Sequence, residues 1–424
     1  MLNQTEQTLL SAGGIPLYAF PCHHLHSFSL SLFVRGGALH ENAEEAGVSH
    51  FIEHLVFRSI SNRMNGELYQ TLDRLGLSIE GITYREFLQF SITGSPARFA
   101  EAVKILSLAL APLSLTAEDI RTERSRIKAE IREEGERTSL DAFTEKLLYG
   151  EGPLTRPITG TAGGLNRMSH TFLCATWERL FTKENMFFYL SGAYPTDGTA
   201  TLLAALAPYA PKSGTPRDNT VPLPDAYFRR NATVAVKGSD KTLLRLSFDI
   251  DTPRYSDAEL TLLYDIVFGD GEECFFHRAL SEQTGMIYSF RGYMELYRNL
   301  GSLGVSYEIP PTGILPSLSR AVGAIRRAKT DSAQALPFVR AAYTDNAAFL
   351  LDDAAALGFN RAYERYILSL PYLSLAERAE AYLKVTGERL CQVASEIFRP
   401  ENATLTVKGR RVDTAAARQV LLTL

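Results

Sequence analysis

Cysteine is scarce in this chain: Cys22, Cys174, Cys274 and Cys391 are far apart and form no CxxC pair. That pattern fits reduced thiols better than a disulfide framework or a thiolate zinc site. Basic excess is missing too, with a net charge of -4 and no long run of Lys or Arg, so a nucleic-acid partner, which requires displacement of counterions from phosphates, is not expected. No uninterrupted apolar run is long enough to span a bilayer, so no membrane span is expected. No cationic residue precedes Arg35, and no apolar block there ends in a small-residue cleavage site. A signal peptide is not expected, and a cytoplasmic protein is the default. The glycines of "RGG" and "FGDGEE" belong to turns without a phosphate-loop pattern, which argues against a nucleotide site.

What is present is a globular composition, 45% hydrophobic and 22% charged, over 424 residues. That length is more than one ordinary core fills, so two domains are expected. The stretch "APKSGTPRDNTVPLPD" at 210–225 concentrates Pro, Gly, Asp and Asn and reads as a linker, leaving domains at 1–209 and 226–424. On either side a phrase recurs: "FTKENMFFYLSG" from Phe181 and "FRPENATLTVKG" from Phe398 match in Phe, Glu, Asn and the closing Gly at one offset of 217 (398 minus 181). That repetition points to duplicated halves. "FSLSLFVRGG" and "LLRLSFDI" read as strands, whereas "SPARFAEAVKILSLALAPL" and "AERAEAYLKVTGERLCQVASEIF" carry helical spacing. The fold class expected is α+β, two duplicated domains, each a mainly antiparallel sheet packed by helices.

The chemistry concentrates in "GVSHFIEHLVFRS", residues 47–59. A helix starting at or just before Ser49 aligns His50, Glu53, His54 and Phe57 on one stripe, because residues three and four apart are neighbours on a helix. Two imidazoles four apart converge on one metal ion, and Glu53 lies beside them, within reach of a water held there. This is the inverted HxxEH form of the zincin motif. Merely packed histidines are the alternative. A third ligand is sought in "TAEDIRTERSRIKAEIREEGER", a helix with a capping start at Thr116 and Asp119. Ile120, Ile127 and Ile131 mark its buried arc. Glu123, Glu130 and Glu134 share that arc, while Glu133 and Glu136 point away. A carboxylate on a buried arc is costly unless paired or metal-bound, so Glu123 and Glu130 are the candidates.

HxxEH followed by Glu130, 76 residues after His54 (130 minus 54) and within "ERSRIKAE" as ERxxxxxE, resembles the pitrilysin-type inverzincin metallopeptidases. Their short-chain branch, which includes mitochondrial processing peptidase, is the nearer likeness, and insulin-degrading enzyme is a longer relative. "RGGALHENAEEAGVSHFIEHLVFRS", "PITG" at 157–160, "FTKENMFFYLSG" and "SEQTGMIYS" extend the likeness over nearly the whole chain. The resemblance implies half of a clamshell of two chains or two halves. It implies zinc as cofactor on His50, His54 and Glu130, Glu53 as general base, and Glu123 as the group orienting a ligand histidine. It implies a peptide substrate added as a strand to the sheet edge "SIEGITYREF", with Glu80, Gly81, Ile82 and Thr83 as the binding residues.

Two departures from the family pattern stand out. Glu80 and Gly81 replace an Asn-Ala pair, and an acceptor-only carboxylate cannot reproduce an amide's donor. An arginine and a tyrosine seven apart usually stand in the second domain. Here Tyr288 is present as a catalytic candidate, but the position seven before it is Ser281, with Arg278 and Arg291 the nearest cations in sequence. A zinc endopeptidase is the function these features imply, working as the metal-bearing subunit of a heterodimer whose homologous partner carries the Arg/Tyr pair, or otherwise as a homodimer. Trimming of a modified peptide precursor and a non-catalytic scaffold are the alternatives. Two further features are read as non-functional: "CHHLH" as a strand with incidental histidines and Trp177 as helix packing.

Overall fold

In the computed structural model, residues 6–134, 139–371 and 373–424 are described. They form two compact units, the first of Met1–Gly135, Arg156–Asn219 and Ala347–Ser374, the second of Glu136–Thr155, Thr220–Asn346 and Leu375–Leu424. The chain passes from the first unit to the second at 219–220, inside the Pro-rich stretch, but each unit also takes a segment from the far side of it. A contiguous division of the sequence does not describe that interleaving.

The first unit is built on strands β1 (Gln7–Leu10), β2 (Pro16–Pro21), β3 (Phe28–Arg35), β4 (Ser78–Thr83), β5 (Phe87–Gly94) and β6 (Met186–Gly192), in the order β1-β2-β6-β3-β5-β4. All neighbours are antiparallel except β2 and β6. Alternation in β3 sends Phe28, Leu30, Leu32 and Val34 into the core, where they meet Phe51, Ile52 and Leu55 of helix α1 (Val48–Arg63). Ser29 and Ser31 take the opposite face, which is also buried because the helix Ala354–Ala362 packs on β3 and β6. Helices α2 (Leu68–Leu75), α3 (Phe99–Ser107) and α4 (Ala117–Glu134) belong to the same helical layer, as do His170–Leu180 and Gly198–Leu206.

The second unit repeats the plan with β7 (Thr233–Lys237), β8 (Leu243–Ile250), β9 (Phe290–Leu296), β10 (Gly301–Glu308) and β11 (Ala403–Lys408), ordered β7-β11-β8-β10-β9. β7 and β11 are parallel and the remaining neighbours antiparallel. This order matches β2-β6-β3-β5-β4 strand for strand. The recurring phrase falls on equivalent strands, since β11 begins 217 residues after β6 (403 minus 186). The fold is α+β and duplicated. Each half has a mainly antiparallel sheet.

Three local readings are corrected. "CHHLH" is a turn beyond the end of β2, with Cys22 buried and the ring Nε2 of His24 hydrogen-bonded to the Leu351 carbonyl at 2.9 Å. The helical stretch after Leu375 is two helices, Leu375–Lys384 and Gly387–Ile397, because Thr386 caps the second by accepting from the Arg389 N–H. The edge strand ends at Thr83, short of the full phrase through Phe87. Trp177 is packing: its ring stacks on Phe181 with centroids 5.0 Å apart. Among the described residues no helix is long and apolar enough to cross a membrane.

Candidate metal centre

Helix α1 has no side-chain cap of its own. It begins after Gly47, at φ 90°, and the carboxylate of buried Glu41 accepts the N–H groups of Gly47 and Ser49 at 2.8 Å each. An anion at a helix N-terminus satisfies orphan donors and complements the macrodipole. Gly160, the last residue of "PITG", lies against Gly47 so closely that a Cβ on Gly47 would fall 2.7 Å from its Cα. Only glycine meets both the dihedral and the contact. Helix α4 starts conventionally, with Thr116 Oγ1 accepting from the Asp119 N–H (3.1 Å) and the Asp119 carboxylate accepting from the Thr116 N–H (2.7 Å).

These two anchored helices bring His50, His54 and Glu130 together. Nε2 of His50 is 3.6 Å from one Glu130 oxygen and Nε2 of His54 is 3.6 Å from the other. One donor atom from each residue lies within 4.8 Å of the others. Zinc bonds of roughly 2.0–2.2 Å in a tetrahedron set donor separations of about 3.3–3.6 Å, so the three groups fit such an ion with a small adjustment. Glu123, fully buried, accepts from His54 Nδ1 at 3.2 Å, which leaves Nε2 turned to Glu130. His50 Nδ1 is buried with no hydrogen-bond partner among the described residues, so the two imidazoles are held unequally. On α4, Ile120 and Ile127 are buried, Glu130 is partly exposed and Glu133 exposed. Glu136 and the Glu134 side chain lie outside the described residues.

Electrostatics divides the carboxylates by role. Burial would raise Glu123, but the His54 and Arg58 bonds and the Arg58 and Arg126 charges outweigh it and hold the carboxyl low, so it stays ionised. Burial pushes Glu53 above the ordinary carboxylate range, only partly offset by a Thr83 bond and the neighbouring His54. His50 is pushed down to about 4, by burial and then by His54, which keeps it a neutral donor. Burial would lower His54 as well, yet Glu123, Glu130 and Glu53 leave it raised.

Two contacts escaped the sequence reading. Arg58 donates from Nε (2.9 Å) and Nη2 (2.5 Å) to Glu123, fixing the carboxylate that orients His54. Its place four after His54, on the same helical stripe, was the available signal. Thr83 donates from Oγ1 to Glu53 at 2.6 Å, a bond between β4 and α1 that no local pattern announces. A cavity of about 520 Å³ runs from Glu53 and Glu130 along α1, past Phe57, Arg58 and Asn62, to Tyr69.

The substrate-strand candidates lie on β4, the last strand of its sheet. Glu80 is exposed, Gly81 and Ile82 half-buried and Thr83 buried. In the second unit Tyr288 is fully exposed, so it is not a core residue, and Ser281 sits in the π-helical turn Arg278–Glu282. Arg278 pairs with Glu273 at 3.0 Å and Arg291 is exposed on β9.

The duplicated α+β fold and the His50–His54–Glu130 group set the terms for comparison with known proteins. Residues 23–162, which hold the motif and Glu130, match the family model of insulinase, peptidase family M16. The chain is similar to an uncharacterized zinc protease of Mycobacterium tuberculosis, 24% identical over 292 residues, 66% of this chain and 65% of that relative. The match thus spans just under two thirds of the relative's length. Its fold is that of the peptidase M16 inactive domain from Pseudomonas fluorescens, with TM-score 0.83 and 16% identity over 96% of this chain and 98% of the other. The periplasmic protease PqqL of Escherichia coli matches with TM-score 0.79 and 16% identity over 99% of this chain but 50% of its own. This chain therefore corresponds in fold to one half of that protein.

Proposed function

We propose that this protein is a zinc endopeptidase subunit that cleaves extended peptides in a chamber formed with a homologous chain. The observation that carries this reading is the convergence of His50, His54 and Glu130 beside a buried carboxylate, Glu53, that faces the same cavity. Held by those three residues, zinc would supply Lewis-acid polarisation of a carbonyl and a water acidic enough to attack at neutral pH. Glu53 takes the proton of the attacking water and returns it to the leaving amine, work for which a raised pKa suits it. Glu123, clamped by Arg58, keeps the His54 ring in one orientation and tautomer. β4 offers its free edge to the peptide main chain, which makes recognition tolerant of side chains.

The partner follows from what stands in the second unit. Tyr288 is exposed and able to reach another chain, but Ser281 provides no cation, so the partner supplies the arginine that stabilises the oxyanion. Chain and partner reside in the cytoplasm. A narrower duty, trimming a modified peptide precursor, uses the same chemistry. The scaffold reading draws support from the inactive M16 domain among similar structures, and the complete donor set here supports catalysis instead. Replacing Glu53 by Gln decides between them: zinc should be retained while peptide cleavage falls about 10²- to 10⁴-fold, the usual contribution of a general base. Undiminished cleavage by Glu53→Gln contradicts the mechanism.

A further inference from the structure

Glu53 stands on α1, yet two residues of β4 bound the position of its carboxylate. Thr83 donates its hydroxyl to one oxygen at 2.6 Å. Gly81, two residues earlier and on the same face of the strand, backs the other side. A Cβ at position 81 would fall 2.4 Å from Phe57 Cε2, 2.9 Å from Glu53 Cγ and 3.0 Å from Glu53 Oε1. The first two distances are shorter than real Cβ contacts, so alanine there would displace Glu53 or Phe57. The bare Cα of Gly81 thus leaves the space that Glu53 occupies, and Thr83 fixes where in that space its carboxylate points. Period-two alternation makes this possible, because residues 79, 81 and 83 share the face turned to α1 while Glu80 and Ile82 take the other.

We propose that Thr83 is a positioning residue that seats Glu53, so that the strand offered to the peptide also sets the carboxylate that acts on it. This rests on the peptidase reading of Glu53 above. A peptide adding to the free edge of β4 orders a strand whose face contacts that side chain, and docking and alignment of Glu53 become one event. A hydroxyl donor at 83 also narrows the otherwise broad terminal torsion of the carboxylate and so fixes its plane. Misplacing a reacting group by about 1 Å can cost about a hundredfold in rate, so the seat governs turnover more than affinity.

The test uses the zinc-loaded chain, a quenched-fluorescence library of short unstructured peptides, and excess enzyme so that slow turnover is still read. Thr83→Val, which keeps shape and loses the donor, should retain zinc and KM while kcat falls about tenfold to a hundredfold. Thr83→Ser should recover most of that loss, a rescue that a packing role would not produce. Wild-type kcat in Thr83→Val, with Glu53→Gln inactive, overturns the seat and leaves the peptidase reading standing. Undiminished cleavage by Glu53→Gln overturns both. A second readout needs neither zinc nor activity: in the chain labelled with carboxyl-¹³C glutamate, the resonance that Glu53→Gln removes should shift in Thr83→Val and return in Thr83→Ser. A resonance unmoved by Thr83→Val overturns the proposal.

Discussion

The first helix after the long antiparallel strand differs between the two units. After β3 comes α1, with His50, Glu53 and His54 on one stripe and its N-terminus held by Glu41, six and eight residues away in sequence. After β8 comes the helix Asp257–Phe268, which has no histidine, buries Leu260, Leu263 and Val267, and starts from a local capping box of Ser256 and Glu259. Five strands follow one order in both units, with β4 and β9 at corresponding edges and β1 extra to the first. The shared architecture therefore comes from apolar alternation and helix burial. The His50–Glu53–His54 stripe stands in one copy only, and there a non-local anchor replaces the local cap. A metal stripe needs a fixed helix rotation and height, which a carboxylate reaching from outside the helix supplies.

That contrast can be sharpened first at the second unit, where Ser281 leaves Tyr288 without its arginine. The isolated chain should bind zinc but cleave slowly. Addition of a homologous partner bearing the Arg/Tyr pair should raise the rate about a hundredfold to a thousandfold, the usual worth of one oxyanion donor. Ser281→Arg should recover part of that gain. Fast cleavage by the wild-type chain alone, with no partner in the preparation, contradicts it.

Next in size is the support of His54. Glu123→Gln or Arg58→Met should weaken zinc about tenfold to a hundredfold in a chelator competition, the usual cost of losing a group that orients a ligand. A change confined to melting temperature, at constant zinc affinity, would make the Arg58–Glu123 pair structural only.

The smallest effect compares the two helix starts. Ser256→Ala should cost about 1 kcal/mol in denaturant unfolding, the worth of a cap, and leave zinc binding alone. Glu41→Ala removes two charge-assisted bonds to α1 and should cost about 2 kcal/mol or more while also weakening zinc. Equal behaviour of the two variants toward zinc would erase the distinction drawn between the anchors.

Several parts of this arrangement were readable from residues alone. β3 and β8 are short alternating or β-rich runs, the start of α4 is a local Thr-Asp pattern, and the His50–His54 spacing is fixed by helical period. Each depends on neighbours within about one or two turns or a strand's length. The edge role of "SIEGITYREF" came through the family likeness. What stayed hidden depends on contacts at long range: Thr83 meets Glu53 across 30 positions and Arg58 meets Glu123 across 65. The segment 136–155 joins a unit whose other residues begin at Thr220, which no local composition signals. The break at Thr386 was missed because apolar spacing continues through it and only the cap interrupts it.

The claim on which all of this depends is that α1 and α4 of the first unit hold one zinc ion. Metal analysis of the purified chain tests it most directly. About one zinc per chain is predicted for the wild type, from two imidazoles and one carboxylate with a fourth position open. His50→Ala and His54→Ala should lose it, and Glu130→Gln should hold it more weakly. Zinc content unchanged in both histidine variants would contradict the account.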